Sequence, residues 1–225
     1  MEGVVPLCRS FDTIGPIVKT VDDAAQLFSV ITTNKPIDLE CRSIERGRLA
    51  ILKGTALDDL QQKPTLAFEA SVKALSNFGF KIKEIEIGGV ESALALSSLV
   101  YPSEAYAEWK DKIEAAPELM YGESLQRFRG GKDVLASDYL KAMRDLKIFK
   151  KQYAAKCSEF DGVILPTCPI MPPNLERLES DNGYYVSQNL MALRNTRIGN
   201  LMGICSLTIP TNYNSCGLSI MALPN

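Results

Sequence analysis

The chain has 225 residues, 46% of them hydrophobic and 23% charged, an ordinary globular balance with room for a substantial core. Lys+Arg total 25 against 27 Asp+Glu, a formal charge of -2, so no overall basic field exists to hold nucleic acid or an anionic membrane. Histidine is absent, which removes Ser-His-Asp and Cys-His mechanisms, His-ligated zinc and imidazole acid–base roles.

The opening, Met1-Glu2-Gly3-Val4-Val5-Pro6, has no basic stretch followed by an apolar one and does not read as a signal peptide. Thr20 and Asp23 have capping-box spacing ahead of Val21, Ala24, Ala25, Leu27, Phe28 and Ile31, which predicts a helix ending before Asn34 and Pro36. Arg48 to Leu52 reads as a short buried strand. Pro64 to Asn77 reads as a helix with Pro64 in the first position, Leu66, Ala70, Ala74, Leu75 and Phe78 on one face, and Gly79 as its stop. Phe80, Ile82, Ile85 and Ile87, set among lysines and glutamates, make a strand with one wetter face. Strand, helix and strand in sequence predict a βαβ unit.

Ala93 to Trp109 is helix-like, with Pro102 expected to end or kink it. Ser137 to Phe160 is the longest periodic segment, with Tyr139, Met143, Leu146, Tyr153, Cys157 and Phe160 as its apolar stripe. Its lysines (Lys141, Lys147, Lys150, Lys151 and Lys156) lack interleaved aromatics and fit a solvated face better than a nucleic-acid patch. A buried strand, Gly162 to Leu165, leads into a proline-rich loop from Pro166 to Pro173. A helix through Asn189 to Arg194 and short strands at Leu207–Ile209 and Leu218–Met221 complete a single α/β unit.

Cys8, Cys41, Cys157, Cys168, Cys205 and Cys216 are scattered without a CxxC pair. They read as small buried hydrophobes in a reducing compartment, so a cytoplasmic location is expected; the even count leaves a secreted disulfide protein as the alternative. No apolar run approaches the roughly 20 residues that span a bilayer. Dinucleotide fingerprint, P-loop and nucleophile elbow are all missing, and neither cofactor nor metal is expected. Cys168, in a loop after a buried strand, is the one thiol in a plausible cleft position. Without histidine its activation would need a lysine or a helix dipole.

Three segments form a recognisable set. The first is Gly3-Val4-Val5-Pro6-Leu7 followed by Ser10-Phe11-Asp12-Thr13-Ile14-Gly15-Pro16 and the helix with Val21-Asp22-Asp23-Ala24-Ala25. The second is Asp161-Gly162-Val163-Ile164-Leu165-Pro166-Thr167-Cys168-Pro169. The third is Asn195-Thr196 with Asn200, Gly203 and the apolar strand to Pro210. In this order and separation they resemble the amidase signature family, which includes the A component of tRNA-dependent amidotransferases. The likeness is weakest between Gly88 and Leu135.

The resemblance implies a three-layer α/β/α sandwich around a mixed sheet and hydrolysis of carboxylic amide C–N bonds. The family uses a serine nucleophile, a second serine in a cis peptide and a lysine as ultimate base, which needs no histidine. Those residues lie N-terminal to the Gly-Val-Val-Pro segment in the family, and no Gly-Gly-Ser-Ser-Gly stretch occurs here. The expectation is therefore that residues 1–225 form the C-terminal portion of an amidase-signature domain, incomplete relative to the family fold and without catalytic residues of its own. The alternative is a non-catalytic α/β binding or subunit-interaction module.

Six residues are candidates for the neighbourhood of an active site or pocket: Asp12, Thr13, Thr167, Cys168, Thr196 and Asn200. By themselves Asp12 and its neighbours fit turn chemistry before a helix, and Thr196 and Asn200 fit loop and cap positions. The Thr167-Cys168 segment at a strand's C-terminal end is a turn that could also line a pocket. Expected partners are a small-molecule amide if the fold is completed, and either a second copy or a polypeptide supplying the N-terminal half. Neither nucleic acid nor membrane is expected.

Overall fold

The structure, a computed structural model, describes residues 3–35, 38–39 and 47–224. Cys41, Pro36 and the first two residues lie outside this range. Among these residues five strands make one mixed sheet: β1 (Arg48–Leu52), β2 (Lys81–Ile85), β3 (Gly162–Pro166), β4 (Cys205–Pro210) and β5 (Gly217–Ala222), in the order β2-β1-β3-β5-β4. β1 runs parallel to β2 and β3, and β5 runs antiparallel to β3 and β4. β3 is central and buried along its whole length, which is why Val163-Ile164-Leu165 is an unbroken apolar run with no alternation.

Among the described residues eight α-helices accompany the sheet: α1 (Val21–Thr32), α2 (Gln62–Phe78), α3 (Val90–Ala115), α4 (Gly122–Arg129), α5 (Ala136–Cys157), α6 (Leu175–Ser180), α7 (Asn182–Ala192) and α8 (Arg194–Met202). On one face Ala50, Leu52, Val163, Leu165 and Met221 pack with Val90, Ala93 and Val100 of α3, Leu146 and Tyr153 of α5, and Ile198 and Leu201 of α8. On the other face Leu49, Ile51, Ile164 and Leu218 meet Phe68, Val72 and Leu75 of α2. Helix, sheet and helix layers around a mixed sheet are the architecture that the family resemblance implies.

The departures have physical causes. α2 starts at Gln62, so Pro64 is the third helical residue and is itself buried. Its buried face is Ala67 and Phe68, extended by Val72 and Leu75, while Leu66, Ala70 and Ala74 are exposed. The aromatic ring needs the sheet more than the alanines do, and the helix is rotated accordingly. Gly79 does close it, at φ 111°.

α3 runs through Pro102 for 26 residues. A mid-helix proline costs about 3 kcal/mol, partly through the hydrogen bond it withholds from the carbonyl four residues back. Here that carbonyl belongs to exposed Ser98, where solvent can serve it, and burial of Val100 and Ala105 on either side offsets the rest. The turn after α4 leans on this point: a Cβ on Gly131 would collide with the Pro102 carbonyl oxygen. Thr196 and Asn200 sit on α8, where a loop is predicted, and the predicted Asn189–Arg194 helix is the junction of α7 and α8. Cys205 is exposed on β4 and departs from the buried-hydrophobe expectation, which Cys8 and Cys157 meet.

Candidate functional site

The segment from Pro6 to Asp12 lies on α3 and is held there polar group by polar group. The Asp12 carboxylate accepts the Leu7 and Cys8 N–H groups, both at 2.9 Å, so it closes its own turn. Glu104 of α3 accepts the Ser10 N–H at 2.9 Å and the Tyr139 hydroxyl of α5. Trp109 Nε1 donates to Pro6 O at 2.8 Å, and Arg9 makes a bidentate pair with Glu108 at 2.8 and 2.7 Å. The Cys8 thiol, pushed up to about 12 by burial and by the nearby Glu104 carboxylate, donates to Tyr101 O. It is a packed donor and no nucleophile.

Asn200 ties this segment to α8. Its Nδ2 donates to Phe11 O at 2.7 Å and its Oδ1 accepts the Tyr101 hydroxyl at 2.8 Å. The Phe11 ring meets Tyr101 edge-on, centroids 4.9 Å apart. Burial raises the Tyr101 hydroxyl well above its usual value, so it stays a proton donor to Asn200.

Five residues earlier on α8, Asn195 does the matching job at the sheet. Fully buried, it donates from Nδ2 to Pro166 O at 2.7 Å and Ala56 O at 3.0 Å, which anchors the exit of β3. Arg194 Nη2 donates to Asp58 O at 2.6 Å beside it. Arg194 and Arg197 carry no ion pair among the described residues, and burial holds both guanidiniums below their usual value.

Past Pro166, Thr167 Oγ1 shares hydrogen bonds with Ser219 Oγ (2.8 Å) on β5 and Thr208 Oγ1 (3.3 Å) on β4, and those two lie 3.2 Å from each other. Three hydroxyls from adjacent strands thus converge at the carboxyl end of β3, the end where α/β sheets bind ligands. Among the described residues no carboxylate or amine bonds to this trio, so it has orienting donors and acceptors but no base. No group of three His, Cys, Asp or Glu among those residues is placed to hold a metal ion.

The structure therefore places four of the six candidates at two locations joined by α8. Asp12 and Asn200 belong to the anchored segment, and Thr167 and Cys168 to the β3 exit. Thr13 is exposed; Thr196 is exposed and returns its hydroxyl to Leu193 O. Asn195, named in the third segment without a role, and Tyr101, Thr208 and Ser219 are polar residues that the six candidates left out. The strand pairing Thr208↔Ser219 was the signal for the last two, and it needed the β4–β5 register. A groove of about 810 Å³ opens on the α2 side, lined by Leu57, Phe68, Glu69 and Val72, and none of the six candidates lines it.

The sequence model of the family described as Amidase matches residues 1–223, and the chain belongs to that family. Similar curated proteins include the 2-amino-5-chloromuconic acid deaminase of Comamonas testosteroni, 28% identical over 100% of this chain and 50% of its own length. Another is the A component of the glutamyl-tRNA(Gln) amidotransferase of Sulfurisphaera tokodaii, 28% identical over 97% of this chain and 53% of its own. Among solved structures, a protein described as an amidase superposes with TM-score 0.81 at 19% identity, covering 99% of this chain and 51% of that one. At that identity the superposition supports the fold. The chain spans about half the length of the curated relatives it matches.

Of the described helices, none is long and apolar enough to cross a membrane.

Proposed function

We propose that these residues are the C-terminal half of an amide C–N hydrolase whose serines and lysine come from residues outside the 225, in the same or another polypeptide. The observation that carries the reading is an open rim on a chain half as long as its relatives. β4 has no strand on its outer side among the described residues, and Cys205 to Thr208 are exposed along it. Of α1, Ser29 alone is buried, while Val30 is 71% and Phe28 44% exposed. An unpaired strand edge and an unpartnered apolar helix favour the association of a further segment.

In this reading the hydroxyl trio of Thr167, Thr208 and Ser219 orients an amide substrate. Asn195 holds the β3 exit that carries Thr167, and Asn200 holds the Phe11 carbonyl at the other end of α8. Acyl transfer still needs an activated nucleophile and an oxyanion hole, and neither is among the interactions described.

The chain alone is expected to turn over neither aliphatic nor aromatic amides. A polypeptide captured by it and found by mass spectrometry to carry a lysine and a Gly/Ser-rich stretch should restore turnover when mixed with it. Turnover by the 225 residues alone would overturn the proposal, and its loss in Cys168→Ala would assign the chemistry to the thiol. A dilution-stable, inert monomer would favour the non-catalytic module instead.

A further inference from the structure

Thr167, one residue past β3, donates its N–H to Gly217 O at 2.9 Å and so carries the β3–β5 pairing one position beyond Pro166↔Leu218. The antiparallel register runs from Val163↔Met221 to Pro166↔Leu218; extended past Thr167 and Gly217 it would set Cys168 opposite Cys216, and the two thiols are near enough to feel each other's charge. Hydrogen-bonded and non-bonded positions alternate in such a ladder. Thr167 and Gly217 occupy a bonded position, so in an extended ladder the two cysteines would take a non-bonded one, where Cα atoms typically stand about 4.5 Å apart. A disulfide spans Cα separations of about 4.4–6.8 Å.

Two further contacts show how tightly the chains meet here. A Cβ on Gly217 would lie 2.8 Å from Thr208 Cγ2 and 3.0 Å from Thr167 Oγ1, so only glycine permits the approach. Cys216 Sγ lies 3.8 Å from Met171 Sδ, which turns that thiol toward the loop that carries Cys168. Both cysteines are free and half-buried, open to a small oxidant. Burial raises the Cys216 thiol, and Lys63 at the start of α2 opposes that shift.

We propose that Cys168 and Cys216 are a redox-responsive pair that closes into a disulfide and clamps the β3 exit loop onto the β4–β5 hairpin. With a peroxide as oxidant, one thiolate attacks an oxygen, the O–O bond breaks, and a sulfenic acid and one water result. The second thiol then forms the S–S bond and expels the sulfenic oxygen as a second water. Two thiols lose two electrons and two protons, and one hydrogen peroxide becomes two waters. Closure would hold Thr167 against Ser219 and Thr208, so the clamp acts on the hydroxyl trio. The thiol chemistry is read directly and does not depend on amide hydrolysis.

The experiment is a thiol titration of the denatured chain before and after brief treatment with dilute hydrogen peroxide. Free thiols should fall from the six in the sequence to four, and Cys168→Ser and Cys216→Ser, which each start at five, should lose at most one, to a sulfenic acid without a cross-link. Peptide mapping of the oxidised chain, repeated in a Cys157→Ser/Cys205→Ser background, should return a Cys168–Cys216 cross-link. Six thiols surviving, equal thiol loss in the Cys168→Ser variant, or a cross-link between other cysteines would each overturn the proposal.

Discussion

On the face covered by α3, α5 and α8, Val100, Leu165 and Leu201 are fully buried and Leu146 is 2% exposed, while along α1 Leu27, Phe28 and Ile31 stay 44–46% exposed. The two regions carry the same sequence signal. α1 has an apolar stripe, an Asp23 N–H bonded to the Thr20 hydroxyl at 3.1 Å, and a left-handed Thr33 closing it. α5 has a comparable stripe and finds a sheet beneath it. Periodicity and capping therefore specify a helix and its sticky face, but the partner of that face is a separate fact.

The sharpest way to break this contrast is to truncate both regions. Leu201→Ala should destabilise the chain by about 2–5 kcal/mol in a urea melt, because a fully buried leucine leaves a cavity. Val30→Ala on the rim should change stability by no more than about 0.5 kcal/mol. Equal losses at both positions would mean that the rim is packed in solution.

Asn195→Ala comes next, at about 1–3 kcal/mol, because it strips the Pro166 and Ala56 carbonyls of a buried donor. Circular dichroism during denaturation would measure it. Asp12→Ala should cost less, about 1–2 kcal/mol, because the Leu7 amide it releases is exposed and can turn to water. A loss below about 0.5 kcal/mol would make the Asp12 turn as dispensable as the rim.

The smallest effect has the opposite sign. The Tyr153 hydroxyl is buried without a hydrogen-bond partner among the described residues, and the Cys157 thiol lies beside it without suitable geometry. Burial raises that hydroxyl far above its ordinary value. Tyr153→Phe removes the orphan and should leave stability unchanged or raise it by up to about 1 kcal/mol. A clear loss would reveal a partner for the hydroxyl in the covered face.

Much of the sheet was legible because strands report their own burial: Arg48–Leu52 is β1 as predicted, and Gly162–Leu165 needs only Pro166 to become β3. Helix rotation was harder. Alanines and leucines of α2 offered two plausible stripes, and only the position of Phe68 over Ile51 and Ile164 chooses between them. Pro102 misled because a local rule was outweighed by burial on both sides of it. For the site, the family segments located Asp12, Thr167 and Asn200, but the bonds that give them meaning run from Asn200 to Phe11 and from Thr167 to Ser219. Such pairs are far apart in the chain, and no window of sequence contains both members.

The placement of β3 sets an order of events during synthesis. Its parallel neighbour β1 leaves the ribosome more than 100 residues earlier, yet its antiparallel neighbour β5 is the last strand described, some 50 residues later. The most apolar strand must therefore wait with one edge unpaired while α6, α7, α8 and β4 are made. Long-range pairing of this kind folds slowly and exposes sticky edges meanwhile. A nascent chain stalled before Gly217 would hold that edge of β3 open to other strands.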